Sequence, residues 1–224
     1  MHPAEQLRLK LRLRTSDGGE AVIVSSSNAA AVGALESWPA WPDGCLALVG
    51  PEGSGKSLLS RAWAARSGAR IFAAAGSDVS GLRGAAVLFE DADRGPADET
   101  LFHLINMVGP GSSLLLTART APQTWVTALP DLRSRLNALV VARIEEPDDA
   151  LLEGVLRKFF RERSIKPSDD LYPFLIRRIE RSIRAAKDVV SRLDDLAEAG
   201  QRDITRALAR QIFEQEDTTL DLFE

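Results

Sequence analysis

Gly50-Pro51-Glu52-Gly53-Ser54-Gly55-Lys56-Ser57 fills every fixed position of G-x-x-x-x-G-K-[ST], the phosphate-binding loop that joins a buried strand to a helix. Each fixed position has a physical task. The glycines let the backbone turn tightly and aim several N–H groups at phosphate oxygens. Lys56 supplies a point charge to the β and γ phosphates, and Ser57 offers a hydroxyl to Mg²⁺. The flanks suit that setting. Leu46-Ala47-Leu48-Val49 is a continuous apolar run of the buried-strand kind. Leu58 to Arg66 has the character of a helix, whose N-terminal dipole favours an anion. The expected cradle is Gly50, Pro51, Glu52, Gly53, Ser54, Gly55, Lys56, Ser57 and Leu58.

Short apolar runs alternate with helical stretches on both sides of this loop. Ala21-Val22-Ile23-Val24, Arg70 to Ala73, Ala86 to Phe89, Leu114-Leu115-Leu116 and Leu139-Val140-Val141 have the composition of strands. Asn28 is a candidate cap for a helix through Ala31, Val32 and Leu35, which Trp38-Pro39-Ala40-Trp41-Pro42 ends. Another helix is expected from about Asp98 to Val108. The pattern predicts an α/β fold, a P-loop parallel sheet covered by helices on both faces. Its character changes at Glu145-Glu146-Pro147, beyond which only helical periodicity remains. Asp148 and Asp203 are expected to start helices, and Ser168 to cap one with Asp169 and Asp170 in its first turn. Ser182 is expected to cap a helix with Ile183, Ala186, Val190, Leu193 and Ala197 on one face and Gly200 at its end. The expected organisation is a tail over 1–17, an α/β domain over 18–146 and a small all-helical lid domain over 147–224.

With 224 residues, 45% of them hydrophobic, the chain can build one large core or a medium and a small one. A net charge of −4 argues against wholesale nucleic-acid binding through the domain field. Cys45 is the one cysteine, so no internal disulfide forms and a reducing, cytoplasmic setting is expected. No apolar run approaches the roughly 20 residues of a membrane span, and no signal-peptide stretch opens the chain. His2 and His103 are isolated, which removes zinc-ligand spacing.

The strand Ala86 to Phe89 closes on Glu90-Asp91-Ala92-Asp93. At the Mg²⁺ end of a nucleotide site one carboxylate holds the metal and the next orients the attacking water. Glu90 is assigned to the metal together with Ser57, Asp91 to the water, and Asp93 to the surface. The strand through Leu116 ends in Thr117, where strand C-termini face the ligand crevice. Its hydroxyl can sense the γ-phosphate or the water, or simply close the strand.

Leu129-Pro130-Asp131-Leu132-Arg133-Ser134-Arg135-Leu136 resembles the arginine-finger segment of the DnaA branch of the AAA+ ATPases, and Ser182-Ile183-Arg184 is similar to that family's second sensor. P-loop, acidic strand end, Thr117, Arg135 and Arg184 occur in the family order over about residues 20–215. Within the branch the chain looks most like the Hda-type regulators. It ends soon after the helical region, leaving no room for the DNA-binding helix-turn-helix domain of DnaA. Its N-terminus, Gln6-Leu7-Arg8-Leu9-Lys10-Leu11, resembles the peptide by which Hda-type proteins bind the DNA polymerase sliding clamp.

The resemblance implies ADP or ATP with Mg²⁺ as ligands, Arg184 on the nucleotide, and Arg135 acting in trans on ATP held by DnaA. It implies the sliding clamp (β subunit) and DnaA as partners, DNA through the clamp complex, room for self-association and no membrane. Gln6, Leu7, Leu9 and Leu11 would be the clamp anchors. The family pattern has two aspartates where this chain has Glu90-Asp91, which implies weak hydrolysis by the chain itself.

The residues alone leave alternatives open. Leu7, Leu9, Leu11 and Leu13 alternate with basic residues, which suits an edge strand as well as an extended tail in a partner's groove. Thr219-Leu220-Asp221-Leu222-Phe223 is a second candidate clamp motif, without the glutamine. Residues 157–187 hold ten basic and four acidic side chains, compatible with nucleic-acid contact and better explained as a solvated face. Arg135 is also compatible with a surface helix position, and Arg184 with a pair to Glu180. The alternative function is an autonomous AAA+ ATPase, a helicase loader or remodeller. A small-molecule P-loop kinase is a third class, against which the helical domain carrying Arg184 argues.

Overall fold

Every residue of β1 (Cys45–Val49) and β4 (Ser113–Ala118) is buried, as strands covered on both faces must be. The computed structural model describes residues 22–73, 79–94, 97–200 and 203–220, and sets these two strands inside a five-stranded sheet. With β2 (Arg70–Phe72), β3 (Ala86–Phe89) and β5 (Val140–Arg143) the order is β2-β3-β4-β1-β5, and every neighbouring pair is parallel. The chain leaves β1, crosses to the far edge at β2, returns through β3 and β4, and finishes on the other side of β1 at β5. The crevice above the C-terminal ends of β1 and β4 is where such a sheet receives a ligand.

The two-residue period of the strands sorts their side chains. Ala47, Val49, Val87, Phe89, Leu114 and Leu116 pack on one face with Leu101 and Leu104 of α3 (Asp98–Asn106) and Leu132 and Leu136 of α4 (Pro130–Ala138). Leu46, Leu48, Leu88 and Leu115 pack on the other with α1 (Ala29–Glu36) and α2 (Lys56–Ser67). On that second face Trp41 stacks on Trp63 of α2 at 5.1 Å, and Trp38 meets it edge-on at 6.2 Å. Trp63 therefore packs the P-loop helix against the segment that follows α1. Proline at the first position starts α4, and Gly68, at φ 68°, ends α2 in the left-handed conformation.

A second compact unit begins at Glu146. It comprises α5 (Asp149–Glu162), α6 (Leu171–Ile176), α7 (Ile183–Gly200) and α8 (Arg206–Leu220). Asp148 caps α5 by accepting from Leu151 N at 2.7 Å, and Ser182 Oγ accepts from Ala185 N at 3.0 Å at the start of α7. Leu156, Phe160, Phe174, Leu175, Val190 and Leu193 form the buried interior.

Four local readings are corrected. Val22, Ile23 and Val24 form no strand. Asn28 stands before α1 without capping it, because its amide is turned backwards. Its Oδ1 accepts from Ser25 N and its Nδ2 donates to Ile23 O, each at 2.9 Å, which holds the incoming segment in place of a sheet partner. The helix expected at Ser168 starts at Leu171, so Asp169 and Asp170 precede it. The last helix starts at Arg206 and not at Asp203, with Thr205 Oγ1 accepting from Leu208 N at 3.3 Å.

Candidate functional site

The loop from Gly50 to Ser57 leaves the C-terminal end of β1 and enters α2 at Lys56. Gly53 and Gly55 have φ of 72° and 99°, values that a side chain resists. Gly50 is fixed by space: a Cβ there would stand 2.6 Å from Ile144 O, beside the neighbouring strand. The first helical bond of α2 runs from Leu59 N to Gly55 O, which leaves the N–H groups of Lys56, Ser57 and Leu58 without helical acceptors. Ser54 Oγ is buried without a hydrogen-bond partner among the described residues. Open N–H donors, an orphaned hydroxyl and a glycine cradle fit a phosphate chain.

Lys56 is buried and its ammonium donates to Gly50 O and Pro51 O, each at 2.8 Å. Burial holds its pKa below the ordinary lysine value. Asp91, Asp93 and Glu52 act in the opposite sense, while the Arg119 guanidinium adds to the lowering. Glu90, at the end of β3, accepts from Arg61 Nη2 of α2 at 3.2 Å, and its other oxygen, Oε1, is buried without a partner among the described residues. Asp91 is exposed at φ 53°, and its N–H donates to Thr117 Oγ1 at 3.0 Å. Thr117, fully buried at the end of β4, thus joins the acidic turn to the next strand. Among the described residues no three His, Cys, Asp or Glu side chains gather as a metal cluster. Ser57 and Glu90 are the residues present that would share a Mg²⁺ ion with phosphate oxygens.

Asp93 is not the surface residue the sequence suggested. Its Oδ2 accepts from Arg119 N at 2.8 Å, from Thr120 N at 3.2 Å and from Thr120 Oγ1 at 3.5 Å, and Oδ1 is buried without a partner among the described residues. Asp93 thereby fixes the chain leaving β4, and Arg119 from that turn ion-pairs with Glu52 of the P-loop. Sequence reasoning missed Arg119. The available signal was its place two residues past Thr117, just beyond the strand next to β1.

Arg135 lies at the other end of the sheet, on the last turn of α4 before β5. It is exposed and makes no hydrogen bond or ion pair with any described residue. Together with Asp43, Gly44, Cys45, Val108 and Leu139 it lines a cavity of about 380 Å³ at the N-terminal ends of the strands. Burial, reinforced by Asp43, pushes the Cys45 thiol up to about 11, and Arg135 acts against that rise. Arg133 is committed locally, with Nη1 donating to Gln123 O at 3.2 Å and Nη2 to Trp125 O. Arg184, exposed in the first turn of α7, forms no ion pair with Glu180. Gln6, Leu7, Leu9 and Leu11 lie outside the described residues, as do Asp221, Leu222 and Phe223 of the second candidate motif.

No family model matches the chain. Over 127 residues it is 28% identical to the chromosomal replication initiator protein DnaA of Thermomicrobium roseum, a match covering 56% of this chain and 27% of that one. The chain thus aligns with only about a quarter of the length of that curated relative. Domain III of the Thermotoga maritima replication initiation protein DnaA superposes with a TM-score of 0.71 at 16% identity, over 87% of this chain and 94% of that one. Replication initiator DnaA bound to AMPPCP and single-stranded DNA gives 0.62 at 16% identity, over 80% and 66%. The Thermotoga maritima RuvB Holliday junction branch migration motor gives 0.59 at 15% identity, over 75% and 60%. Among the described residues no helix is long and apolar enough to cross a membrane. The chain has the AAA+ P-loop fold, and over those 127 residues its sequence is DnaA-like.

Proposed function

We propose that this chain is an adenine-nucleotide-binding regulator of replication initiation that stimulates ATP hydrolysis by DnaA while bound to the sliding clamp. The observation that carries the reading is the separation of two sites. The P-loop occupies the C-terminal edge of the sheet, and the exposed Arg135 stands unpaired at the N-terminal edge. A guanidinium so placed does not serve its own P-loop, but is free to reach a phosphate held by another protein. There it would stabilise charge that builds on the transferring phosphoryl group.

Gly50 to Leu58 would hold ADP or ATP, with Ser57 and Glu90 on Mg²⁺. Asp91, Thr117 and Arg184 would complete the nucleotide's surroundings, and the ligand supplies phosphate charge for the loop to organise around. Residues 1–17 would be the clamp-binding tail, through Gln6, Leu7, Leu9 and Leu11. The α/β domain would run over 18–146 and the lid over 147–224.

The test is single-turnover hydrolysis of ATP preloaded on DnaA, with clamp on DNA and either the parent chain or Arg135→Ala. Loss of a finger should lower the rate by roughly 10³-fold or more, while own-nucleotide and clamp binding persist. An unchanged rate would overturn the role of Arg135. Arg133 is a poor substitute candidate, because it is tied to its own loop. Rapid ATP turnover by the chain alone, with no effect on DnaA, would favour the autonomous remodeller.

A further inference from the structure

The P-loop carries its own competing anion. Glu52 occupies one of the free positions of the loop and is largely exposed, yet its carboxylate is engaged by Arg119 from the turn after β4. That turn is built to a definite position. Val49 pairs with Ala118 in the parallel register, Gly50 N donates to Ala118 O at 3.2 Å, and Asp93 accepts from both Arg119 N and Thr120 N. Arg119 therefore leaves the sheet directly beside the first residue of the phosphate loop. Lys56 is close enough to feel both members of the pair. The second cation of the site is thus held by the loop's carboxylate, in a region where Ser54 Oγ and Asp93 Oδ1 are buried and find no partner among the described residues.

We propose that Glu52 and Arg119 form an exchangeable ion pair. The carboxylate keeps the place of a terminal phosphate, and a nucleoside triphosphate takes the guanidinium over. The proposal rests on the nucleotide reading of the P-loop and adds to it the residue that tells a triphosphate from a diphosphate. The physical basis is partner exchange. A partly exposed ion pair is weak, so it opens readily. The guanidinium fork then meets a phosphate group carrying more charge and more acceptor oxygens than a carboxylate. A diphosphate, ending one phosphoryl group earlier, leaves the Glu52–Arg119 pair closed.

The experiment is calorimetric titration of the full chain with Mg²⁺ and either AMPPCP, as a non-hydrolysed triphosphate, or ADP. Four forms are compared: parent, Glu52→Gln, Arg119→Gln and the double variant. Glu52→Gln should strengthen AMPPCP binding relative to ADP by up to about fivefold, the most that releasing one partly exposed ion pair can give, and only where Arg119 is present. In the Arg119→Gln background the same change should leave the AMPPCP-to-ADP ratio unmoved, a non-additive cycle. An equal gain in both backgrounds means that Glu52 merely repels phosphate, and overturns the proposal, as does no gain in either. Arg119→Lys is the second variant should Arg119→Gln fold poorly. It keeps the charge without the fork and should show a smaller gain. Binding that depends on Lys56 but gives an additive cycle removes the exchange alone. A parent chain that binds neither ligand removes the nucleotide reading and the exchange with it.

Discussion

The P-loop and Arg135, at opposite ends of one sheet, treat their cations in opposite ways. Around the P-loop three cations are held: Lys56 on the carbonyls of its own loop, Arg61 on Glu90, Arg119 on Glu52. At the N-terminal edge Arg135 stands exposed with no such partner, over a cavity containing a protonated thiol. A site that receives an anion can keep its cations on internal stand-ins until the ligand displaces them. A cation meant for another molecule has to remain uncommitted. The carboxylates divide accordingly, with Glu52, Glu90, Asp91 and Asp93 gathered at one edge and Asp43 alone facing the cavity at the other.

The sharpest way to break this contrast is at Lys56. Lys56→Ala removes the buried charge of the cradle and should weaken adenine-nucleotide binding by about a hundredfold or more, as loss of a buried charged hydrogen-bonding group does. The parent chain should melt at a higher temperature with saturating ADP than without, because a ligand bound to the folded state alone stabilises it. Lys56→Ala should lose that increment. Equal ligand-induced shifts in both forms would show that the C-terminal edge is not the nucleotide site.

Gly50→Ala should act on stability as well as binding. The new methyl group would meet Ile144 O at 2.6 Å and Ser54 Oγ at 3.0 Å, and the first of these is backbone between the loop and its neighbouring strand. A cost of roughly 1–3 kcal/mol is expected, in the range of overpacked sites. It should be read as a lower denaturation midpoint with an unchanged slope. At Gly33 a Cβ would meet nothing within 4 Å, so Gly33→Ala is the comparison that should cost nothing. A Gly50 variant as stable as the Gly33 variant would mean the loop has room to spare.

Much of the sheet was legible because its strands are continuous apolar runs. Leu46 to Val49, Ala86 to Phe89 and Leu114 to Leu116 carry their own boundary signals. The failures have a common physical cause: a side chain spent locally in a way that composition does not reveal. Val22 to Val24 has the composition of a strand, yet its ordering comes from the Asn28 amide and not from a neighbouring strand. Asp93 was taken for a surface residue because nothing in its local sequence shows that Arg119 and Thr120, twenty-six and twenty-seven residues further on, bring their N–H groups to it. The P-loop was legible because its chemistry lies in consecutive residues. The Glu52–Arg119 contact was not, because it depends on parallel register across β1 and β4.

The smallest expected displacement, a few tenths of a unit in a thiol titration, probes the cavity end through Cys45. Its thiol is raised from 9.0 to about 11, first by burial and then by Asp43, while Arg135 lowers it. The native state thus holds its thiol proton in a range where the unfolded chain releases it. Stability from this group is fully present below about pH 9 and is lost as pH rises from about 9 to about 11. The size of that loss is on the order of 2–3 kcal/mol for a shift of two units, and Cys45→Ser should flatten that part of the pH profile. The same thiol reports on Arg135. Arg135→Met keeps an unbranched apolar stem and removes the charge, so the midpoint of thiol alkylation against pH should move upward by a few tenths of a unit, the scale of one partly screened charge. Asp43→Asn removes the opposing charge and should move the midpoint down, with asparagine tolerating the φ of 51° at that turn. The midpoint is the quantity to read, because the absolute rate also changes with access to the cavity. Opposite displacements in the two variants would locate the Arg135 charge at the rim of this cavity. A midpoint that ignores Arg135→Met would place the guanidinium away from Cys45, and the contrast between the two ends of the sheet would lose its N-terminal half.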